Sequence, residues 1–191
     1  MFSQTVDQDI QLALVQPSFA PRYVELVNAH FDYLSQWLAW PPHCNTESDF
    51  LNFIRRSLQD YAEGKSMVCA IFYQGIHVGN CSFNSINHNL KTVDIGYWLA
   101  ADYQGKGIIT RVCSHLIRIA FEQLEMEKVV IAAAVENLAS RLVAERLGMT
   151  LESVISRNEN LNGRILSHAI YALHRQPVNT EFQSKLVQER T

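Results

Sequence analysis

Four residues near the middle of the chain, Gln104-Gly105-Lys106-Gly107, can do chemistry through their backbone. They stand between an apolar strand-like run and an apolar helix-like run. At such a turn the first amides of the helix have no intrahelical acceptor, and the helix dipole adds partial positive charge. Phosphate suits that environment. A Walker loop would need G-x-x-x-x-G-K-[ST], whereas the lysine here lies between the glycines. A dinucleotide fingerprint would need a third glycine where Thr110 stands. The alternative is that Gly105 and Gly107 only shape a tight turn. Asp94, on the strand before the glycines, is a candidate acid whose simpler reading is a surface residue. His43, His77, His115 and His168 and the four cysteines show no ligand spacing, so no metal is expected.

The elements that must position this turn alternate between strand and helix. Residues 10–16 read as a first strand, and Pro21 opens a helix predicted to run to Leu38. Thr46 with Asp49 marks a second helix start. Phe50, Leu51, Ile54, Leu58 and Tyr61 then recur at helical spacing up to Gly64. MVCAIFY and IHVGNCSF flank Gln74-Gly75 as a hairpin, and residues 91–99 supply the next strand. After the glycines come two rows of apolar residues, Ile108, Val112, Leu116, Ala120, Leu124 and Ile109, Cys113, Ile117, Phe121. They predict a helix pressed against a sheet. KVVIAAAV reads as a strand buried on both faces. Asn137 caps a further helix that Gly148 closes, and residues 150–160 and 164–174 surround Asn162-Gly163 as a last hairpin.

Composition narrows the class. A chain of 191 residues suits one domain with a short appendage, and residues 1–175 are read as that domain with 176–191 as a polar tail. With 48% hydrophobic residues and a formal net charge of −3, the chain is neither disordered nor a polycation, so no nucleic-acid partner is expected. Unpatterned cysteines argue for a reducing compartment. The absence of a signal-like start or of a run near the ~20 apolar residues that span a bilayer points to a cytoplasmic protein without a membrane partner.

The segment GYWLAADYQGKGIITRV followed by VENLASRLVAERLGM resembles the GCN5-related N-acetyltransferase (GNAT) superfamily, whose phosphate-binding signature is Q/R-x-x-G-x-G/A. Ile109 stands at its last position, where Gly or Ala is usual. More narrowly, LSQWLAWP, VGNCSFNSI, IGYWL, QGKGI and ENLNG resemble the bacterial ribosomal-protein acetyltransferases that modify N-terminal Ser or Ala. The similarity spans residues 10–175.

That resemblance implies an α/β fold with a mixed, mostly antiparallel sheet of about seven strands, splayed between the fourth and fifth and flanked by helices. It implies acetyl-CoA as cosubstrate. Backbone groups of Tyr97, Trp98 and Leu99 would pair with its pantetheine arm, amides of Gln104, Gly105, Lys106, Gly107, Ile108 and Ile109 would hold its pyrophosphate, and Asn137 would bond the arm. It implies Glu159 as the base that takes the amine proton through a water. Ser140 would be the donor to the departing thiolate, because the superfamily's usual tyrosine position is Ala144 here. The expected enzyme is an acyltransferase that acetylates a protein N-terminal α-amine by direct attack, and the family suggests a homodimer. The alternatives are a small amine such as a polyamine or amino sugar as acceptor, or a CoA-binding regulatory module without turnover. An α-amine of pKa ~7.7–8.0 is already roughly a tenth neutral at pH 7, against about one in two thousand for a lysine of pKa ~10.4. An N-terminus therefore needs only modest base assistance.

Overall fold

The computed structural model describes residues 3–176. The polar tail read from 176 onward thus lies, but for its first residue, outside the described residues. The chain opens with β1 (Ser3–Thr5) and β2 (Ile10–Leu14). β1 was not expected: its three exposed polar residues carry no alternation, and only pairing with Gln11–Ala13 makes them a strand. The single helix expected from Pro21 to Leu38 is two, α1 (Ala20–Ala29) and α2 (Phe31–Ser35), parted at His30 where φ is −123° and ψ 23°. No glycine or internal proline marks that break. The bend seats Leu34 in the same core cluster as Tyr23 and Val27. α3 (Glu47–Ala62) begins at the expected capping box: Thr46 Oγ1 accepts from the Asp49 amide at 3.2 Å and Asp49 Oδ2 accepts from the Thr46 amide at 3.0 Å.

β3 (Met67–Tyr73) and β4 (Ile76–Asn87) are joined by Gln74-Gly75, both at positive φ (50° and 79°), the turn whose twist matches a two-residue hairpin. β5 (Thr92–Leu99) precedes α4 (Ile108–Glu122), which buries Ile108, Val112, Cys113, Leu116, Ile117 and Ala120. β6 (Lys128–Ala134), α5 (Leu138–Arg146), β7 (Thr150–Leu161) and β8 (Arg164–His174) follow in the expected order.

Among the described residues one eight-stranded sheet forms, in the order β1-β2-β3-β4-β5-β6-β8-β7. Its neighbours are antiparallel except β5 and β6. That parallel pair meets at Thr92↔Lys128, Val93↔Val129 and Asp94↔Val130 and then parts. The cause lies one strand away. β4 pairs Phe83 with Ile95 and Ser85 with Asp94, so Asn84 is an extra residue at the level where β5 leaves β6. Such a bulge sharpens strand twist and turns the strand away from its neighbour. The splay expected between the fourth and fifth strands is thus present, as β5/β6 once β1 is counted.

Helices cover both faces. Successive residues of β3 divide between two cores: Val68 and Ala70 pack with Tyr23, Val27, Phe50 and Ile54 of α1 and α3, and Cys69 and Ile71 with Val112, Leu116 and Ala120 of α4. β6 departs from the expectation of burial on both faces. Val129, Ile131 and Ala133 are buried, but Val130 is half-buried and Ala132 exposed, because these two border the open wedge.

Candidate active site

At the wedge's mouth the chain leaves β5 through a short 3-10 turn and enters α4 at Gly107. Gly105 and Gly107 sit at φ 72° and 69°, a left-handed region that side chains disfavour. Among the described residues, the amides of Gly105, Lys106, Gly107, Ile108 and Ile109 donate to no protein acceptor. They form a bare cradle, but the expected Gln104 amide is not part of it, because it donates to Ala101 O at 3.1 Å and closes the 3-10 turn. Lys106 reaches back over aromatic rings, its Nζ 4.7 Å from the centre of Tyr103 and 5.9 Å from that of Tyr73. Gln104 Nε2 donates to the Tyr33 hydroxyl, tying the turn to α2.

Beyond Asp94 the edge of β5 facing β6 has no partner strand, so the backbone of Tyr97, Trp98 and Leu99 lies along the gap. Across it, Asn137 Oδ1 accepts from the Ser140 amide at 3.1 Å, the N-cap expected for α5. The Tyr97 hydroxyl spans the gap, 2.8 Å from Ser140 Oγ and 3.2 Å from Ser140 O. Burial pushes the Tyr97 phenol well above its ordinary pKa, Cys113 pushes it the same way, and the Ser140 bond only partly offsets them. It is therefore a neutral donor. Ala144 is fully buried in the α4 core, with no hydroxyl to offer.

Glu159 reaches the same space from β7. That strand pairs regularly from the Asn162-Gly163 turn to Glu159↔Leu166, then loops out Ser156, Arg157 and Asn158 before Ile155 meets His168. Arg157 takes φ 52° and its amide donates to Ser167 Oγ at 3.3 Å. The Glu159 carboxylate lies 3.1 Å from His168 Nε2, with the two side chains 32% and 17% exposed. It is thus in contact with both protein and solvent.

All twelve residues nominated from the sequence, from Tyr97 to Glu159, border one cavity of about 910 Å³. Tyr33, Arg146 and His168 border it too and were not nominated. Asp94 does not. It accepts from Ser85 Oγ at 2.7 Å and borders a second cavity of about 1160 Å³. Among the aromatics, Trp40 borders that second cavity, Trp37 the first, Tyr97 both, and Phe83 is wholly core. The cavities meet at Leu38, Tyr97, Trp98, Ala132 and Ser140. Among the described residues no group of three His, Cys, Asp or Glu could hold a metal. Burial raises the thiols of Cys69, to about 12, and of Cys81 and Cys113, which leaves them protonated and inert.

A sheet parted beside a glycine-rich helix start, with anion-ready amides and a carboxylate across the gap, defines an acyltransferase of the GNAT fold. The chain belongs to that family: residues 12–150 match the family described as acetyltransferase (GNAT) domain. The chain is 32% identical over 174 residues to the Bacillus subtilis protein YdaF, provisionally named a ribosomal N-acetyltransferase, covering 91% of this chain and 95% of that one. It is 30% identical over 167 residues to the Escherichia coli ribosomal-protein-serine acetyltransferase, covering 87% and 93%. Among solved structures, the microcin C7 self-immunity acetyltransferase MccE, in complex with acetyl-CoA and AMP, superposes with a TM-score of 0.86 at 35% identity, over 89% of this chain and 94% of that one. RimL, the ribosomal L7/L12 α-N-protein acetyltransferase, in complex with coenzyme A, gives 0.87 at 28% identity, over 91% and 98%.

Proposed function

We propose that the protein transfers acetyl from acetyl-CoA to the α-amine of a protein N-terminus, by direct attack in a ternary complex. The observation that carries this reading is the convergence on one cavity of the amide cradle, the unpaired β5 edge, Ser140 and Glu159. The pyrophosphate takes the Gly105–Ile109 amides, with the exposed Arg146 adding charge nearby, and pantetheine lies along Tyr97–Leu99 toward Asn137. The neutral amine attacks the thioester carbonyl carbon, the new C–N bond forms and the C–S bond breaks. Glu159 receives the amine proton through water, and Ser140 donates toward the departing sulfur. Cys69, Cys81 and Cys113 are buried and the half-buried Cys44 borders the second cavity rather than the one holding Glu159, so the transfer is written without an acyl-enzyme, and positioning supplies most of the rate.

The ribosomal-protein relatives and RimL support the N-terminal acceptor. A second reading, a small-molecule amine, draws on the likeness to MccE, whose crystal contains AMP. We extend the proposal to a cytoplasmic homodimer: no helix among the described residues is long and apolar enough to cross a membrane, and β7 is an edge strand exposing Leu151, Val154 and Ile155.

The test is acetyl-CoA turnover with N-terminal Ser and Ala peptides, lysine peptides and small amines side by side. The Ser and Ala peptides are expected to give the highest kcat/KM, and Glu159→Gln to lower their kcat about a hundredfold with the acetyl-CoA KM within about twofold. Preference for a small amine selects the second reading.

A further inference from the structure

We propose that His168 is the positioning residue of the proton acceptor, its ring held by a hydrogen bond from Asn158 and its Nε2 holding one oxygen of Glu159 in contact at 3.1 Å. The proposal rests on Glu159 as the base.

The arrangement is set by which atoms can donate. Asn158 Nδ2 lies 3.0 Å from His168 Nδ1, and an amide nitrogen only donates, so Nδ1 must accept. The ring proton then sits on Nε2, which faces Glu159 Oε2 at 3.1 Å, and a carboxylate only accepts. The opposite tautomer would set the Nε2 lone pair against the carboxylate.

The bulge is what makes this contact. A regular ladder continued from Glu159↔Leu166 would bring Arg157 opposite His168; instead Ile155 pairs there, and Ser156, Arg157 and Asn158 stand against Ser167 alone. Extra residues in one strand bend it and re-aim its side chains. Asn158 and Glu159, which would point to opposite faces of a regular strand, thereby meet the same imidazole from its two ends. With Oε2 held, Oε1 is the oxygen left to the cavity that Glu159 and His168 both border.

The test uses the full chain, with acetyl-CoA and an N-terminal Ser peptide as probes. His168→Ala is expected to lower kcat about tenfold, the scale of one polar contact to a charged group. The acetyl-CoA KM should stay within about twofold, and His168→Gln, which restores a donor near Nε2, should recover most of the loss. The double variant Glu159→Gln/His168→Ala should be no slower than Glu159→Gln alone. Long-range proton–nitrogen NMR of the wild type without substrate should show His168 protonated on Nε2 and bare on Nδ1 at pH 7.5. A proton on Nδ1 overturns the proposal whatever the kinetics. An impaired Glu159→Gln with an unimpaired His168→Ala also overturns it and leaves Glu159 as base; an unimpaired Glu159→Gln removes the base and the proposal together.

Discussion

Ser140 carries two duties with different geometries. Its amide donates to Asn137 and starts α5, while its hydroxyl meets Tyr97 at 2.8 Å. When Tyr97 donates to Ser140 Oγ, the serine proton is free to face a sulfur in the gap, and the burial that keeps the phenol neutral keeps this donor available. A thiol of pKa ~8.5 leaves tolerably as thiolate, so the contribution is modest. Ser140→Ala is expected to lower kcat about tenfold, and Tyr97→Phe about threefold, in steady-state assays at saturating acetyl-CoA. Full activity in Ser140→Ala would reduce the residue to its place in the first turn of the helix.

At the scale of elements, the cradle depends on backbone conformation rather than on clearance. A Cβ at Gly107 would meet nothing within 4 Å, so a larger side chain does not crowd the turn, but at φ 69° it is strained by about 1–2 kcal/mol, more when β-branched. Relaxing that strain turns the amides away from the phosphate site. Gly107→Val is therefore expected to weaken coenzyme A binding about tenfold or more. The variant should lose about half or more of the stabilisation that coenzyme A gives the wild type, about 2.7 kcal/mol at a hundred times the wild-type Kd, read as a thermal shift. An unchanged shift would place the phosphates elsewhere.

For the whole molecule, the layer between α1 and the sheet contains a titratable weak point. His77 packs its ring against Tyr23, Phe72 and Phe19 at 4.7, 5.2 and 5.8 Å and shares a bond with Gly79 O at 3.0 Å. Its Nδ1 is buried without a partner among the described residues. Burial holds its pKa down to about 4; the Gly79 bond opposes that and the Arg22 charge adds to it. The unfolded chain takes up this proton below about pH 6.5 and the folded one only near 4, so the unfolded state binds more protons across that window. Stability is full above pH 6.5 and falls, by up to about 1.4 kcal/mol per unit, as pH drops toward 4. His77→Gln should flatten that part of the curve, read as urea midpoints at pH 7 and pH 5. An unchanged slope would move the acid sensitivity to another group.

Local chemistry determined most of the elements from the sequence alone. Gln74-Gly75 and Asn162-Gly163 can take positive φ in succession, Thr46 and Asp49 can cap each other, and the apolar rows of α4 admit one face. The bare amides at Gly105–Ile109 were legible for the same reason, since their requirements lie within consecutive residues, whereas the Gln104 amide is taken by Ala101 O. What tertiary structure decided depends on register between distant segments. The extra residue at Asn84 that parts β5 from β6, the break at His30 and the bulge at 156–158 have no signature in residue type. They are the cheapest way to satisfy packing and pairing made elsewhere. His168 read as an isolated histidine because its partners, Asn158 and Glu159, reach it only once the bulge has bent β7. The wedge itself belongs to two strands that are neighbours for three residue pairs and then are not, a fact of twist that no local pattern encodes.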